Sequence, residues 1–426
     1  MKALVLIALT ACSPALTGDD DIDSVPDPDA DSDLAAQPYV STAPHLEAVF
    51  ALPGVDGTPD HTIEKSMNDM IDATPKGARI RLAVFGFKRT NVATHLIDAY
   101  KRGVDVQIVL DRNQNYAHPA PDDLDADEDD DNDLPSPETD PGEVVDLATG
   151  AHDYNDATQM LLDHLPHDAV TLCTRGHGSC IGDHINHSKI WLFSSTGGAN
   201  HVVVQSSANV ATLHLHNNSV ISRGDRKLYN DYVAYFADLA AHQEDLNYYR
   251  IASGDHTIAY HFPRGDGLTG DDHDTVANIL DKVRCNGASH HTVYVTMAYW
   301  HDRPQIDDRL VALKRAGCDV RINMRHGGTK GVSKATADRF VANHLDVAFY
   351  PTDGGTNIHS KILIVDAIFG DDGDRSVRQL VWMGSHNFNN DALTSNDETI
   401  LRVDNPGVFD AYVANWKAIR AQIDSH

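Results

Sequence analysis

His187-Ser188-Lys189-Ile190 recurs as His359-Ser360-Lys361-Ile362, and each copy runs into an apolar stretch, Trp191-Leu192-Phe193 and Leu363-Ile364-Val365. A second polar pair follows each copy: Ser207 and Asn209 after the first, Ser385 and Asn387 after the second. On a β-strand, residues i and i+2 point to one face. Each histidine therefore shares a face with its lysine, and each serine with its asparagine. Two such sets bring two imidazoles, two ammoniums and two amides to a common centre, which is what a phosphodiester site needs. In phosphoryl transfer the attacking and leaving atoms lie roughly in line on opposite sides of phosphorus. One imidazole must be neutral to attack and the other charged to protonate the leaving oxygen; an unperturbed pKa of about 6.5 allows both near neutrality. The lysines and asparagines can stabilise the non-bridging oxygens as a metal does elsewhere, so no cofactor and no metal is required. A single His-x-Lys is commonplace, whereas two matched copies with matched Ser-x-Asn pairs are specific.

At these residues the chain resembles the phospholipase D superfamily, whose repeated motif reads His-x-Lys-x4-Asp followed by Gly-Ser-x-Asn. The second copy matches throughout, with His359, Lys361, Asp366 and then Gly384-Ser385-His386-Asn387. The first departs twice, with Ser194 in place of the aspartate and Ser206 in place of the glycine. Asp366 lies an odd number of residues from Lys361, so a continuous strand turns it away from the site, and it reads as a supporting residue. The resemblance implies that His187, Lys189, His359 and Lys361 are catalytic and that Asn209, Asn387, Ser207 and Ser385 bind the substrate phosphate. It implies that His187 attacks phosphorus to form a phosphohistidine, with His359 protonating the departing alcohol; the reverse assignment stays open. It also implies an acidic residue behind each histidine. Glu398, within Asn396-Asp397-Glu398, is expected behind His359, while the matching stretch Asn217-Asn218-Ser219 offers His187 no carboxylate.

The elements that must position these groups are duplicated too. Arg79 to Phe85 and Thr292 to Ala298 both read as strands, each followed by a helical segment. Gly103-Val104-Asp105-Val106-Gln107-Ile108 then parallels Gly317-Cys318-Asp319-Val320-Arg321-Ile322 at an offset of 214 positions. At the His-x-Lys copies the offset is 172, so the first half carries about 42 extra residues between those landmarks. At the asparagines it is 178, so the second half gains six residues, assigned to the loop at Gly370-Asp371-Asp372-Gly373-Asp374. Repeats this long are duplicated domains rather than solenoid units. Ile63, Met67, Met70 and Ile71 mark a helix before the first strand, and Leu228–Leu239 and Val408–Ile419 are helices closing the halves. The expected architecture is α/β: two similar phospholipase D-like domains, each a central mixed sheet flanked by helices, related by a pseudo-two-fold axis with the site at their seam. Residues 45–250 form the first domain, with an acidic insertion at 113–152, and 251–426 the second.

Leu9-Thr10-Ala11-Cys12, after a short apolar run, resembles a bacterial lipoprotein signal spanning 1–12, with Cys12 lipidated; a plain secretory signal is the alternative. Residues 13–44, rich in Asp and Pro, read as a disordered tether. The expected location is the cell envelope or the exterior. In an exported protein the four later cysteines suggest two disulfides, with local pairing of Cys173 with Cys180 and Cys285 with Cys318 the simplest arrangement. Zinc at Cys173, His177 and Cys180 is the alternative. The formal charge is −29, but residues 19–33 hold eight Asp and 122–143 hold twelve Asp plus Glu; setting those twenty aside brings −29 to −9. Such a surface lacks the basic groove that duplex nucleic acid prefers. Asp127, Asp129, Asp131 and Glu138 fall at EF-hand-like spacing, but Asn132 occupies the usual glycine turn, so a solvated acidic loop is the simpler reading and Ca²⁺ the alternative. Tyr299-Trp300 and Phe85-Gly86-Phe87 end corresponding strands, where they pack in the core or rim, or line an entrance.

The resulting expectation is a secreted, lipid-anchored, monomeric phospholipase D-like phosphodiesterase that hydrolyses or transphosphatidylates a phospholipid or other phosphodiester. A nuclease of the same superfamily and a non-catalytic lipid-binding protein are the rivals.

Overall fold

The computed structural model describes residues 45–117, 154–211, 215–265, 274–285, 289–326, 331–351, 356–371 and 373–425. Cys12, the tether and the acidic stretch with Asp127, Asp129, Asp131 and Glu138 lie outside them.

Period-two burial makes the strands. In Arg79–Val84, Ile80 and Leu82 are buried while Arg79 and Arg81 are only half-buried. The first half contributes β1 (His45–Ala51), β2 (Arg79–Val84), β3 (Asp105–Asp111), β4 (Val170–Cys173), β5 (Lys189–Thr196), β6 (Ala199–Ser206) and β7 (Leu215–Arg223). The second contributes β8 (Arg250–Ser253), β9 (Thr257–His261), β10 (Val283–Arg284), β11 (Thr292–Met297), β12 (Asp319–Arg325), β13 (Asp346–Tyr350), β14 (Asn357–Ile358), β15 (Lys361–Phe369), β16 (Val377–Gly384) and β17 (Thr399–Val403). The sheets run β1-β7-β6-β5-β2-β3-β4 and β9-β17-β16-β15-β11-β12-β13, with β8 extending the second edge. Corresponding neighbours also agree in direction: β2/β3 and β11/β12 are parallel, while β2/β5 and β11/β15 are antiparallel. The duplication inferred from the offsets is therefore a duplication of topology. The six-residue gain falls between β15 and β16, as expected, where β5 and β6 are joined at Gly197-Gly198. Most of the extra length of the first half falls between β3 and β4.

Helices α1 (Thr62–Asp72), α2 (Thr90–Lys101) and α3 (Asp156–His164) cover the outer face of the first sheet, burying Met67, Leu96 and Leu161 against Leu82, Trp191 and Phe193. On the second sheet α5 (Thr275–Leu280), α6 (Pro304–Arg315), α7 (Lys334–Ala342) and α8 (Asn390–Thr394) bury Val276, Leu310, Phe340 and Leu393 against Val295 and Leu363. Between the sheets lie α4 (Arg226–Ala240) and α9 (Pro406–Asp424), the closing helices expected from the sequence. Asp225 and Asn405 cap them by accepting from the backbone N–H three residues on. Their buried faces, with Tyr232, Tyr235, Tyr412 and Trp416, meet Ile190 and Leu192 of one sheet and Ile362 and Ile364 of the other in a shared core. Each fully buried apolar side chain there contributes roughly 1.5–3 kcal/mol. The polar tips are satisfied: Tyr412 Oη donates to Asn218 Oδ1 at 3.0 Å, and Trp416 Nε1 to Val295 O at 2.9 Å.

At the seam the halves exchange backbone. Ile358, just before the second His-x-Lys, pairs in parallel with His216 of β7; Asn186, just before the first, bridges to Asp397 beside β17. The serine inside each motif repeats the exchange: Ser188 Oγ donates to Asp397 O at 3.3 Å, and Ser360 Oγ to His216 O at 3.0 Å. This reciprocity is what a two-fold relation between the halves produces.

Candidate active site

Lys189 and Lys361 open β5 and β15, and His187 and His359 lie two residues earlier, on the segments that cross the seam. All four side chains are fully buried. Lys189 Nζ donates to His187 O at 3.1 Å and Lys361 Nζ to His359 O at 2.9 Å, so the same bond folds each lysine back beside its histidine. An ammonium taken out of water is costly unless an anion meets it. Two of them at equivalent places make a cationic centre inside an acidic protein. Asn387 is buried with neither amide atom hydrogen-bonded among the described residues, as expected of a group that awaits a ligand. Asn209 occupies the corresponding position, 5% exposed.

Both histidines are oriented from the opposite half, which corrects the expected pairing. Glu398 stands behind His187, not His359: His187 Nδ1 donates to Glu398 Oε1 at 2.8 Å, with both side chains fully buried. His359 Nδ1 donates to Asn217 Oδ1 at 2.6 Å. Because each motif crosses the seam, the residue beside its ring comes from the other sheet. Asn217 and Glu398 hold equivalent positions, one residue before Asn218 and Thr399, whose carbonyls accept from Ser207 N and Ser385 N. Either acceptor fixes the proton on Nδ1 and leaves Nε2 as the reacting nitrogen.

The two serines bond within the protein. Ser207 Oγ donates to Asn217 Oδ1 at 2.9 Å and accepts from Asn218 N at 3.0 Å. Ser385 Oγ accepts from Thr399 N at 3.1 Å. Their hydroxyls join the loop to the next strand and support the residue behind the histidine. Asp366 faces away, as parity required, and pairs with His290 Nδ1 at 2.7 Å. Its counterpart Ser194 accepts from Arg79 N at 2.8 Å, so both positions anchor the neighbouring chain at the far end of the motif strand.

The cysteines pair locally, Cys173 with Cys180 and Cys285 with Cys318. With their sulfurs joined, Cys173 and Cys180 have no thiolate to offer zinc, which removes that alternative. The first disulfide closes a loop onto Asp397. This buried carboxylate accepts from Ser179 Oγ at 2.8 Å and from the backbone N–H of Cys180, Ile181 and Gly182 at 2.7, 3.1 and 2.7 Å. Burial outweighs those bonds and pushes its carboxyl up to about 6. At Gly182 a Cβ would lie 1.9 Å from Ser395 O, so only glycine admits this approach. Asp397 thus ties the loop that leads into His187 to the segment that carries Glu398 into β17.

Sequence reasoning missed Asn217 and Asp397, and it left two aromatics undecided. Phe85 belongs to the site, edge-on to the His187 ring at 5.2 Å and beneath Lys189 Nζ at 5.5 Å, whereas Phe87 and Trp300 are core. His386, between Ser385 and Asn387, is a further buried imidazole. Burial, then Lys361 and His187, push it down to about 3, so it is neutral at ordinary pH. No described helix is long and apolar enough to cross a membrane.

Phosphatidylserine synthase from Haemophilus influenzae Rd KW20 is similar in structure at TM-score 0.54 and 12% identity, over 88% of this chain and 86% of that one. Polyphosphate kinase from Porphyromonas gingivalis gives 0.47 and 13% over 88% of this chain; the chain spans half of that protein's length. Nuc from Salmonella typhimurium, a phospholipase D family member, gives 0.29 and 15%, over 47% of this chain and 95% of that one. At such identities the first likeness speaks for the fold alone. No curated protein matches the chain. The family described as cardiolipin synthase, PLD-like domain, matches residues 68–240 and 284–420, one stretch for each sheet and each His-x-Lys, and the chain belongs to this phospholipase D-like family.

Proposed function

We propose that the protein is a phosphodiesterase that cleaves or transfers the headgroup of a phospholipid through a phosphohistidine. The observation that carries this reading is the reciprocal support of the two buried histidines, each held at Nδ1 by the opposite half and each beside a buried lysine. His187 Nε2 attacks phosphorus, and the bond from phosphorus to the headgroup oxygen breaks as His359 Nε2 gives that oxygen its proton. A water then loses its proton to His359, and its oxygen displaces His187; an acceptor alcohol in place of water yields transfer. Phosphorylation makes the His187 ring cationic, and the Glu398 carboxylate compensates that charge. His359, supported by the neutral amide of Asn217, gives up its proton more readily than an imidazolium held by a carboxylate. This division of labour favours His187 as nucleophile. Lys189, Lys361, Asn209 and Asn387 stabilise the non-bridging oxygens, so the scheme requires no resident cofactor.

Phospholipid is favoured over duplex nucleic acid because the net charge is −29. The two disulfides fit an extracytoplasmic protein. A lipid anchor at Cys12 would keep the monomer at a membrane surface. Incubating the protein with phosphatidylcholine and with plasmid, both with EDTA present, separates the substrates: released headgroup is expected, and nicked plasmid with intact lipid overturns the choice. Rapid quenching and peptide mapping are expected to place the phosphoryl group on His187; label on His359 reverses the roles.

A further inference from the structure

His261 of β9 is a fully buried histidine that takes no part in the scheme above. It lies opposite Thr399, the residue after Glu398. Its Nε2 donates to Asp231 Oδ2 at 2.7 Å, and its Nδ1 accepts from Thr399 Oγ1 at 3.2 Å. Burial, opposed by Asp231, lowers the imidazole below its ordinary value, which fits the neutral tautomer that these partners require. The ring stacks on Tyr235, 4.4 Å between centroids and 29° between planes. Asp231 and Tyr235 are four residues apart on α4, so one helix face holds the imidazole from two sides. Burial keeps the Tyr235 hydroxyl protonated far above its ordinary range. That hydroxyl donates to Glu398 O at 3.4 Å and stands 3.3 Å from Ser188 Oγ, inside the motif of His187. It therefore touches the chain on both sides of the His187–Glu398 pair.

The other half has none of these three residues. Helices α4 and α9 match at an offset of 180 positions, in their caps (Asp225 and Asn405) and along their buried faces (Tyr232 and Tyr412). Strand β1 pairs with β7 as β9 pairs with β17, so Phe50, opposite Asn218, stands where His261 stands opposite Thr399. The ring contacts agree: Phe50 meets Tyr412 edge-on at 4.9 Å, and His261 meets Tyr232 edge-on at 5.1 Å. By the same offset Asp231 and Tyr235 correspond to Ala411 and Asn415. The acid, the imidazole and the phenol are thus present together beside Glu398, which supports His187, and replaced together beside Asn217, which supports His359.

Resting on the phosphodiester reading above, we infer that Tyr235, held by His261 and Asp231, is a positioning residue for the nucleophile: its hydroxyl clamps the backbone of Glu398 against the motif that carries His187. Small displacements of a reacting group are costly, so the clamp acts on attack at phosphorus and not on proton transfer. The His187 Nδ1 proton gives a readout without turnover. Held in a charge-assisted bond to Glu398, it produces a low-field proton NMR resonance, assigned by its absence in His187→Ala. Tyr235→Phe keeps the ring against His261 and deletes the hydroxyl. It is expected to shift or broaden that resonance and to slow formation of the phosphohistidine about fivefold to tenfold, with KM unchanged and with good and poor leaving groups affected alike. His261→Phe, which copies Phe50, should cost more, and His261→Gln, which can bond to both Asp231 and Thr399, should recover part of that loss. Tyr232→Phe, in the same helix, removes only the bond from Tyr232 Oη to Gln205 and should leave both the resonance and kcat where they are. A Tyr235→Phe chain that matches Tyr232→Phe in both readouts overturns the clamp. So does a loss confined to poor leaving groups, which would place the effect on His359, or a wild type without the resonance. A wild type that shows the resonance but forms no phosphohistidine and leaves bis(p-nitrophenyl) phosphate intact strikes the phosphodiester reading, and the clamp is then judged on the resonance alone.

Discussion

The two halves share a sheet order but not a chemistry. Where the second half offers Glu398 to a histidine across the seam, the first offers Asn217. Where the second half places Asp397, buried and pushed up to about 6, the first places His216, buried and pushed down to about 4. The chain leading to His187 is tied by a disulfide, while that leading to His359 lies along β7 as a short strand. Duplication supplies two equal histidines, and in the proposed mechanism the unequal residues of the opposite half turn one toward attack and the other toward proton transfer.

Breaking the histidines should have the largest effect. His187→Ala is expected to lower turnover by about 10⁴-fold or more and to abolish the trapped intermediate. His359→Ala should cost about 10²–10⁴-fold, and least with a p-nitrophenyl leaving group that needs no proton. Equal losses with every leaving group would deny the asymmetry. Next come their supports. Glu398→Gln should slow formation of the intermediate by about 10²-fold or more, while Asn217→Asp, which makes the halves alike, should move the acidic-group limb of the pH–rate profile upward. An unmoved limb would mean that Asn217 does not set the proton affinity of His359.

The disulfides separate stability from activity. By loop length, removing Cys285–Cys318 should cost about 4 kcal/mol and Cys173–Cys180 about 2.5 kcal/mol, read from denaturant unfolding. Loss of activity in the still-folded protein should follow the reverse order, because only the shorter loop holds Asp397 and leads to His187. The smallest test is of pH. Asp397 is raised from 3.8 to about 6, so its contribution is full below the lower value and lost as pH rises through the higher. His216 is lowered from 6.5 to about 4, so its contribution is full above the higher value and lost as pH falls toward the lower. Each amounts to about 3 kcal/mol, with opposite slopes between pH 4 and 6. Relative to wild type, Asp397→Asn should therefore gain stability as pH rises through that window, and His216→Asn should lose it. Parallel slopes for the two variants would refute the opposition.

The alternation of β2 and β11, the continuous apolar runs of β5 and β15 and the offsets between copies made the duplicated α/β architecture legible, because strand patterning is a local property of the chain. His187, Lys189, His359 and Lys361 were legible for the same reason, being two residues apart on one face. The parity of Asp366 and the local cysteine pairs followed by the same logic. The partner of Glu398 was not legible: nothing near residue 398 records that β17 lies across a seam from residue 187 rather than beside 359. Nor did the sequence show that the serine hydroxyls hold the next strand. Which groups can chemically act was written in residue types and spacing; which group supports which was decided by packing two sheets against one middle layer, since contacts between chain segments some 200 residues apart exist only once the core has formed.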